Sequence, residues 1–404
     1  MKYILIMLIL LKINIANAGS LEQAIQTMLL ENPSLDGKKS EILSSIANRD
    51  AVKAERLPSI SFFVSEMNDS YEQGVLTIDQ TLYTFGNLSS RIDRANAEIE
   101  NQNNDLSLTL RELYEQTAHR YNELYYAKEI AKIGELNITE HQKLLDHIQR
   151  RLEGKLASEA DVGLGFSRLT NAKIQQRNFV KQLRNSASAL ATLTIKSVDA
   201  IVPVDIEQWG DLSLLKEDIE KLADSDFNVI KKKSLIKVAN ASLEVAQTEN
   251  LPQLKLRAEH NFLDKPIQGD KNRIGLVLES KFEGLGFVRS FKEDSQTQSL
   301  IASKKDYEAT KYRVVREIEI LFEDFISNKQ NLVLQQNSVG LVEDTFESYF
   351  RQYRAGRKSW IDVLNIQREL VQQRIELLNI ERSLKNDAIS LAVRLGTFDN
   401  ILVE

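Results

Sequence analysis

Chemistry needs side chains of the right type held close together, and this 404-residue chain offers few candidates. Its four histidines, His119, His141, His147 and His260, are scattered along the sequence. His141 and His147 stand six apart, which on a helix turns them to different faces, and no histidine has the spacing of a metal-ligand set. Gly284-Leu285-Gly286 follows a strand-like stretch and precedes a helical one, but it lacks the third glycine and acidic partner of a dinucleotide fingerprint. There is no HExxH and no nucleophile motif. No catalytic residue, cofactor site or metal site is expected, so the residues of interest are those that shape, gate and dock.

The most informative of these form a pair of turns. Ser158, Asp161 and Val162 recur as Ser359, Asp362 and Val363 at one offset, since 359 − 158, 362 − 161 and 363 − 162 all give 201. Gly154 and Gly356 precede them at an offset of 202, which reads as one inserted residue. Gly154 and Gly356 suit helix C-caps, Ser158 and Ser359 suit N-caps, and Asp161 and Asp362 fall in the first turn, where an acid complements the helix dipole. Both turns therefore read as the tip of a helical hairpin. The repeat continues outward: Leu57-Pro58 recurs as Leu251-Pro252 (252 − 58 = 194) and Gly86 as Gly286 (286 − 86 = 200). A fixed period of this kind marks an architecture built twice. Each half reads helix, strand, loop, strand, long helix, tip, return helix.

Residues 1–18 have the pattern of a secretory signal: Lys2, an apolar run from Tyr3 to Leu11, and Ala16-Asn17-Ala18 as a small-x-small cleavage site. Lys12 interrupts that run, so it falls short of the about 20 apolar residues of a spanning helix. The absence of cysteine removes disulfides, thiolate metal sites and a lipidated cysteine. A net charge of −6 with interleaved signs leaves no basic stripe, so nucleic acid is not expected as a partner.

The elements that must position the tips follow in order. Residues 19–56 and 225–250 are the first helices of the two repeats, the earlier one capped by Ser20 and interrupted at Pro33. Residues 57–86 and 251–286 alternate with period two: Ile60, Phe62 and Val64, then Leu76 and Ile78 after a polar loop from Met67 to Gly74, and in the second repeat Leu254, Leu256, Ala258 and Ile274, Leu276, Leu278. Each run is near the roughly 9–11 residues of a membrane-crossing strand. Residues 87–193 and 287–396 are the long hairpins, with tips near 154–161 and 355–362. The first long helix, proline-free with only Gly134 inside, spans on the order of 100 Å. Residues 194–224, with Pro203, Trp209 and Gly210, and residues 397–404 form a connector against the waist of the helical body.

Four strands are too few to close a membrane barrel, whose smallest examples have about eight, and an open edge in lipid leaves backbone groups unsatisfied. Identical copies must complete the sheet. With the duplicated strand and hairpin plan, the tip residues and the ending Leu395-Gly396-Thr397, the chain resembles the TolC family of outer-membrane efflux and secretion channels across essentially its whole mature length. The resemblance implies a mainly α fold with a small β part: long hairpins forming an α-barrel in the periplasm, and four amphipathic strands per copy contributing to a 12-stranded transmembrane β-barrel of a homotrimer. It implies a passive duct in the outer membrane of a Gram-negative bacterium, an equatorial belt from residues 194–224 and 397–404, and partners at the tips: a periplasmic adaptor (membrane fusion) protein and an inner-membrane drug pump or ABC exporter. By the same resemblance Tyr353 and Lys358 near the second tip, held to Asp161 of the first, are the gate, and Asp362 lines the pore. Lysine at position 358 and Asn365 in place of a second pore acid depart from the family pattern and imply a weaker gate and weaker cation affinity. Docking is expected on Gly154, Lys155, Leu156, Gly356, Arg357 and Lys358, where small and exposed apolar residues admit partner helices. A soluble periplasmic adaptor or coiled-coil scaffold is the rival reading, and the repeated strand pair argues against it. A cell-wall enzyme on a helical stalk lacks a catalytic set.

Overall fold

The computed structural model describes residues 20–67, 71–196, 201–209, 219–262 and 270–398. The signal-like segment 1–18 lies outside them, as do 197–200 and 210–218 of the connector and 399–404 after the last helix. The elements run α1 (Leu21–Glu31), α2 (Pro33–Ala54), β1 (Ser59–Met67), β2 (Tyr71–Tyr83), α3 (Asn87–Glu153) and α4 (Glu159–Thr194) in the first repeat. The second has α5 (Ile219–Ser225), α6 (Phe227–Thr248), β3 (Gln253–Asn261), β4 (Asn272–Glu279), α7 (Phe287–Arg354) and α8 (Trp360–Leu395). The strands form one antiparallel sheet in the order β1-β2-β3-β4.

The duplication is closer than residue identities imply. Both α2 and α6 have 22 residues, and both α4 and α8 have 36. The left-handed residues after the return helices, Ile195 and Gly396, keep the 201 offset (396 − 195). At the tips, Lys155 N–H donates to the Leu152 carbonyl and Leu156 N–H to that of Arg151; 201 residues on, Gly356 N–H donates to Tyr353 and Arg357 N–H to Gln352. These are two copies of the Schellman closure, so no residue is inserted between the turns. The left-handed position is held by Lys155 (φ 58°) in one and Gly356 (φ 74°) in the other. Gly154 is therefore not the C-cap glycine; it is the counterpart of Ala355. The 68 residues of α7 against the 67 of α3 place the one-residue difference inside the long helix.

Two further expectations are corrected. The polar stretch from Met67 to Gly74 is not all loop, because Val64↔Gly74, Ser65↔Gln73, Glu66↔Glu72 and Met67↔Tyr71 continue the ladder. Backbone groups pair whatever the polarity of their side chains. Within 194–224, Thr194 ends α4 and residues 219–225 are helical, so that segment is less irregular than its composition implies.

The chain divides into two compact units, each drawing on both repeats: one from Met1–Asn32, Glu112–Glu217 and Glu319–Glu404, the other from Pro33–Arg111 and Asp218–Ile318. In the first, Tyr121 is fully buried and its hydroxyl donates to the Val202 carbonyl at 3.0 Å. Phe398 lies 5.9 Å from the Tyr114 ring and 5.8 Å from Trp209, so residues 201–209 and 397–398 meet on α3. Gly134 lets α3 and α4 approach: a Cβ there would stand 2.0 Å from Gln176 Oε1 and 2.8 Å from the Phe179 ring. The second unit holds the sheet and an ionic layer in which Asp105 accepts from Lys38 at 2.6 Å and from Lys231.

Candidate functional site

Both tips are built by local rules. Each return helix opens with a capping box. Ser158 N–H donates to Asp161 Oδ2 at 3.0 Å while Asp161 N–H donates to Ser158 Oγ at 3.2 Å; Ser359 and Asp362 repeat this at 3.2 and 3.2 Å. The hydrogen bonds from Ser359, its side chain first, hold the Asp362 carboxyl below its ordinary value. The caps fix where each helix begins, and the Schellman closures fix where the preceding one ends.

What joins the hairpins is a buried cluster. Leu144, Leu145 and Ile148 of α3, Leu169 of α4, Tyr353 of α7 and Trp360, Val363 and Leu364 of α8 pack together. Burying an aliphatic or aromatic side chain of this kind contributes about 1.5–3 kcal/mol. Trp360 is 4% exposed and its Nε1 donates to the Asp161 carbonyl at 3.1 Å, a direct tie from the second tip to the first. Tyr353, also buried, lies 5.3 Å from Trp360 and 6.0 Å from His147, with the Arg151 guanidinium 4.9 Å over its ring. Burial pushes the Tyr353 phenol up, against Arg151. Burial also pushes the His147 imidazole down, with Arg151, Arg150 and Arg354 acting in the same direction.

The residues singled out in the sequence take up distinct places. Tyr353 is inside the cluster. Lys358 lays its ammonium 4.1 Å over the Tyr349 ring. The Asp161 carboxylate serves its own cap, and its carbonyl serves Trp360. Asn365 is exposed on α8, and Gly154, Lys155, Leu156, Gly356 and Arg357 are exposed at the turns, Leu156 at 68%. Trp360, Arg151 and Tyr349 were not anticipated. The available signal for Trp360 was its position directly after a cap, where the first repeat has Glu159.

The sheet is the other functional surface. Paired residues share a face, so Ile60, Ile78, Ala258 and Ile274 form one row across all four strands, flanked by Leu256↔Leu276 and Leu254↔Leu278. That face is bare: Ile60 is 71% exposed, Phe62 67% and Ile274 78%. The opposite face is charged, with Arg257 forked onto Asp79 at 2.7 and 2.8 Å, Lys255 on Glu279 at 2.9 Å and Arg273 on Glu259 at 2.8 Å. Phe63, on the charged face, breaks the alternation. Tyr83, Phe85, Phe282, Phe287 and Phe291 are exposed around the α-helical ends of the strands, as in the aromatic girdle of a membrane barrel. Strands β1 and β4 are each paired on one side only. Among the described residues no helix is long and apolar enough to cross a membrane.

Comparison with known proteins agrees with this geometry. The model of the outer membrane efflux protein family matches residues 219–397. No curated protein matches the sequence. Among solved structures, CusC, described in terms of folding and transmembrane channel formation, is similar at 15% identity with a TM-score of 0.79, covering 94% of each chain. The CmeC outer membrane channel of Campylobacter jejuni is similar at 14% identity and 0.77, covering 93% of this chain and 85% of that one. The MtrE outer membrane channel of Neisseria gonorrhoeae, in its open state, is similar at 13% and 0.75, covering 93% and 88%. The fold is the one these outer membrane channels share. The family model thus matches the second repeat, in line with the resemblance read from the tips.

Proposed function

We propose that the protein is the outer-membrane exit duct of a tripartite efflux pump or type I secretion system. The observation that carries this reading is a four-stranded sheet, apolar on one face and charged on the other, whose two edge strands β1 and β4 are each paired on one side only. In lipid each unsatisfied edge group costs several kcal/mol, and three copies in a ring supply twelve strands and leave no edge. The charged face then lines water and the isoleucine row meets lipid. A soluble scaffold would hold that row in water, where exposed apolar patches promote association.

In this duct the tips receive a periplasmic adaptor on Gly154, Lys155, Leu156, Gly356, Arg357 and Lys358, and an inner-membrane drug pump or ABC exporter drives transport. Tyr353, Lys358 and Asp161 act as the gate; Asp362, with Asn365 one turn on, borders the pore. The test is membrane fractionation with planar-bilayer recording. A detergent-dependent trimer in the outer-membrane fraction with steady conductance is expected, and a water-soluble monomer without amphiphile overturns the reading. Asp362→Asn should change conductance and cation block; unchanged values remove Asp362 from the pore.

A further inference from the structure

The groove between α3 and α8 holds a cavity of about 420 Å³, within the roughly 300–1,000 Å³ of small-molecule sites. One wall is a single face of α3, carrying His119, Arg120 and Glu123, and the other is Arg382, Ser383 and Asn386 of α8. His119 stands 35 residues before Gly154 (154 − 119), on the order of 50 Å from the tips along α3, so the gate and docking residues have no part in it. Among the described residues no aliphatic side chain lines the cavity, and an apolar molecule would gain little there.

The hydrogen bonds around the cavity leave a particular set of groups unused. Arg120 donates to Glu123 Oε2 at 2.8 Å. The half-buried Arg382 guanidinium has no ion pair among the described residues, and a charge held partly out of water favours an anion beside it. Asn386 Oδ1 accepts from Asn122 at 2.9 Å, which leaves the Asn386 amide N–H groups to donate. The Ser390 hydroxyl donates to Glu115 at 2.5 Å, so the proton of the His119 ring sits on Nε2, 3.2 Å from the Asn386 carbonyl, and Nδ1 is an acceptor. Glu123 Oε1 is a second acceptor. The α8 wall thus offers donors and the α3 wall acceptors.

We propose that this cavity binds a small carboxylate that also carries hydroxyl groups, the chemistry of a sugar acid. The carboxylate accepts from Arg382 and Asn386, and the hydroxyls donate to His119 Nδ1 and Glu123. A bare anion would meet the Glu123 carboxylate and the His119 lone pair with nothing to donate to them. A neutral sugar would leave Arg382 unanswered. Either mismatch leaves a desolvated polar group without a partner, which costs more than a missing contact.

Titration calorimetry on the full chain in detergent tests this, with glucuronate as the probe and glucose and acetate as controls. Glucuronate should bind saturably, and glucose and acetate should bind about tenfold or more weakly. Arg382→Gln should weaken glucuronate binding by about tenfold or more while circular dichroism shows unchanged helix content, because the guanidinium ties no other described residue. Absence of glucuronate binding, glucose binding of equal strength, or an Arg382→Gln variant of full affinity overturns the site. Acetate binding as tight as glucuronate overturns the hydroxyl recognition by His119 and Glu123. The trimer and conductance measurements above are separate, so failure here leaves the duct standing.

Discussion

The two hairpin tips have the same backbone and opposite interiors. Turn closures, capping boxes and return-helix lengths coincide at an offset of 201. Yet the first tip carries Lys155 in the left-handed position and Glu159 exposed after its cap, whereas the second carries Gly356 and the buried Trp360. The ring of Trp360 enters the cluster beneath both hairpins and its N–H ties to Asp161. One copy of the duplicated turn has become the anchor and the other its receptor. A shared backbone thus leaves room for the side chains to diverge once the two copies occupy different surroundings.

That contrast can be tested from its largest consequence downward. Trp360→Ala should destabilise the protein by about 3–5 kcal/mol, the cost of emptying an aromatic core site, whereas Glu159→Ala at the matching position should stay within about 0.5 kcal/mol; urea unfolding followed by circular dichroism measures both. Equal effects would remove the asymmetry.

The next contrast is acid sensitivity. His141 is buried on α3, and burial first and Arg168 second lower its pKa from 6.5 to about 4. Below 6.5 the unfolded chain takes a proton that the folded chain refuses, so stability falls as pH drops from 6.5 towards 4. The second hairpin has Val342 at the matching position (342 − 141 = 201). His141→Val should flatten that acid limb in unfolding midpoints measured across the window, and an unchanged slope would assign the limb elsewhere.

Smaller effects should come from the turns. Gly356→Ala should cost about 1–2 kcal/mol and Lys155→Gly should gain a similar amount, because a Cβ is unfavourable at positive φ. Gly154→Ala should be nearly silent, since a Cβ there meets only ordinary contacts at 3.6 Å. The caps should be the point of equality: Ser158→Ala and Ser359→Ala should each cost about 1 kcal/mol. A large difference between them would mean that one box also serves a neighbour.

Much of this architecture was legible in the residues. Ser and Asp three apart before an apolar run announced both N-caps, and period-two alternation located all four strands. Aligning the tips on Gly154 and Gly356 was misleading, because glycine is the usual left-handed residue and Lys155 holds that position instead. The hydrogen-bond closure between a helix end and a cap a fixed distance on requires positive φ at one position, whatever residue stands there. The polar stretch before Gly74 misled for a related reason: ladder pairing uses backbone groups and is indifferent to Glu72 and Gln73.

By itself the sequence determined where helices start and stop, which strand residues share a face, and that the whole was built twice, because caps, turns and side-chain alternation act over a few residues. Only the tertiary structure decided that β2 pairs with β3 from the other repeat, that Trp360 is covered while Glu159 is not, and that His119 and Arg382 line one cavity. Those outcomes depend on surfaces supplied by segments some 200 residues away, and burial is a property of the pair, which neither local stretch carries alone.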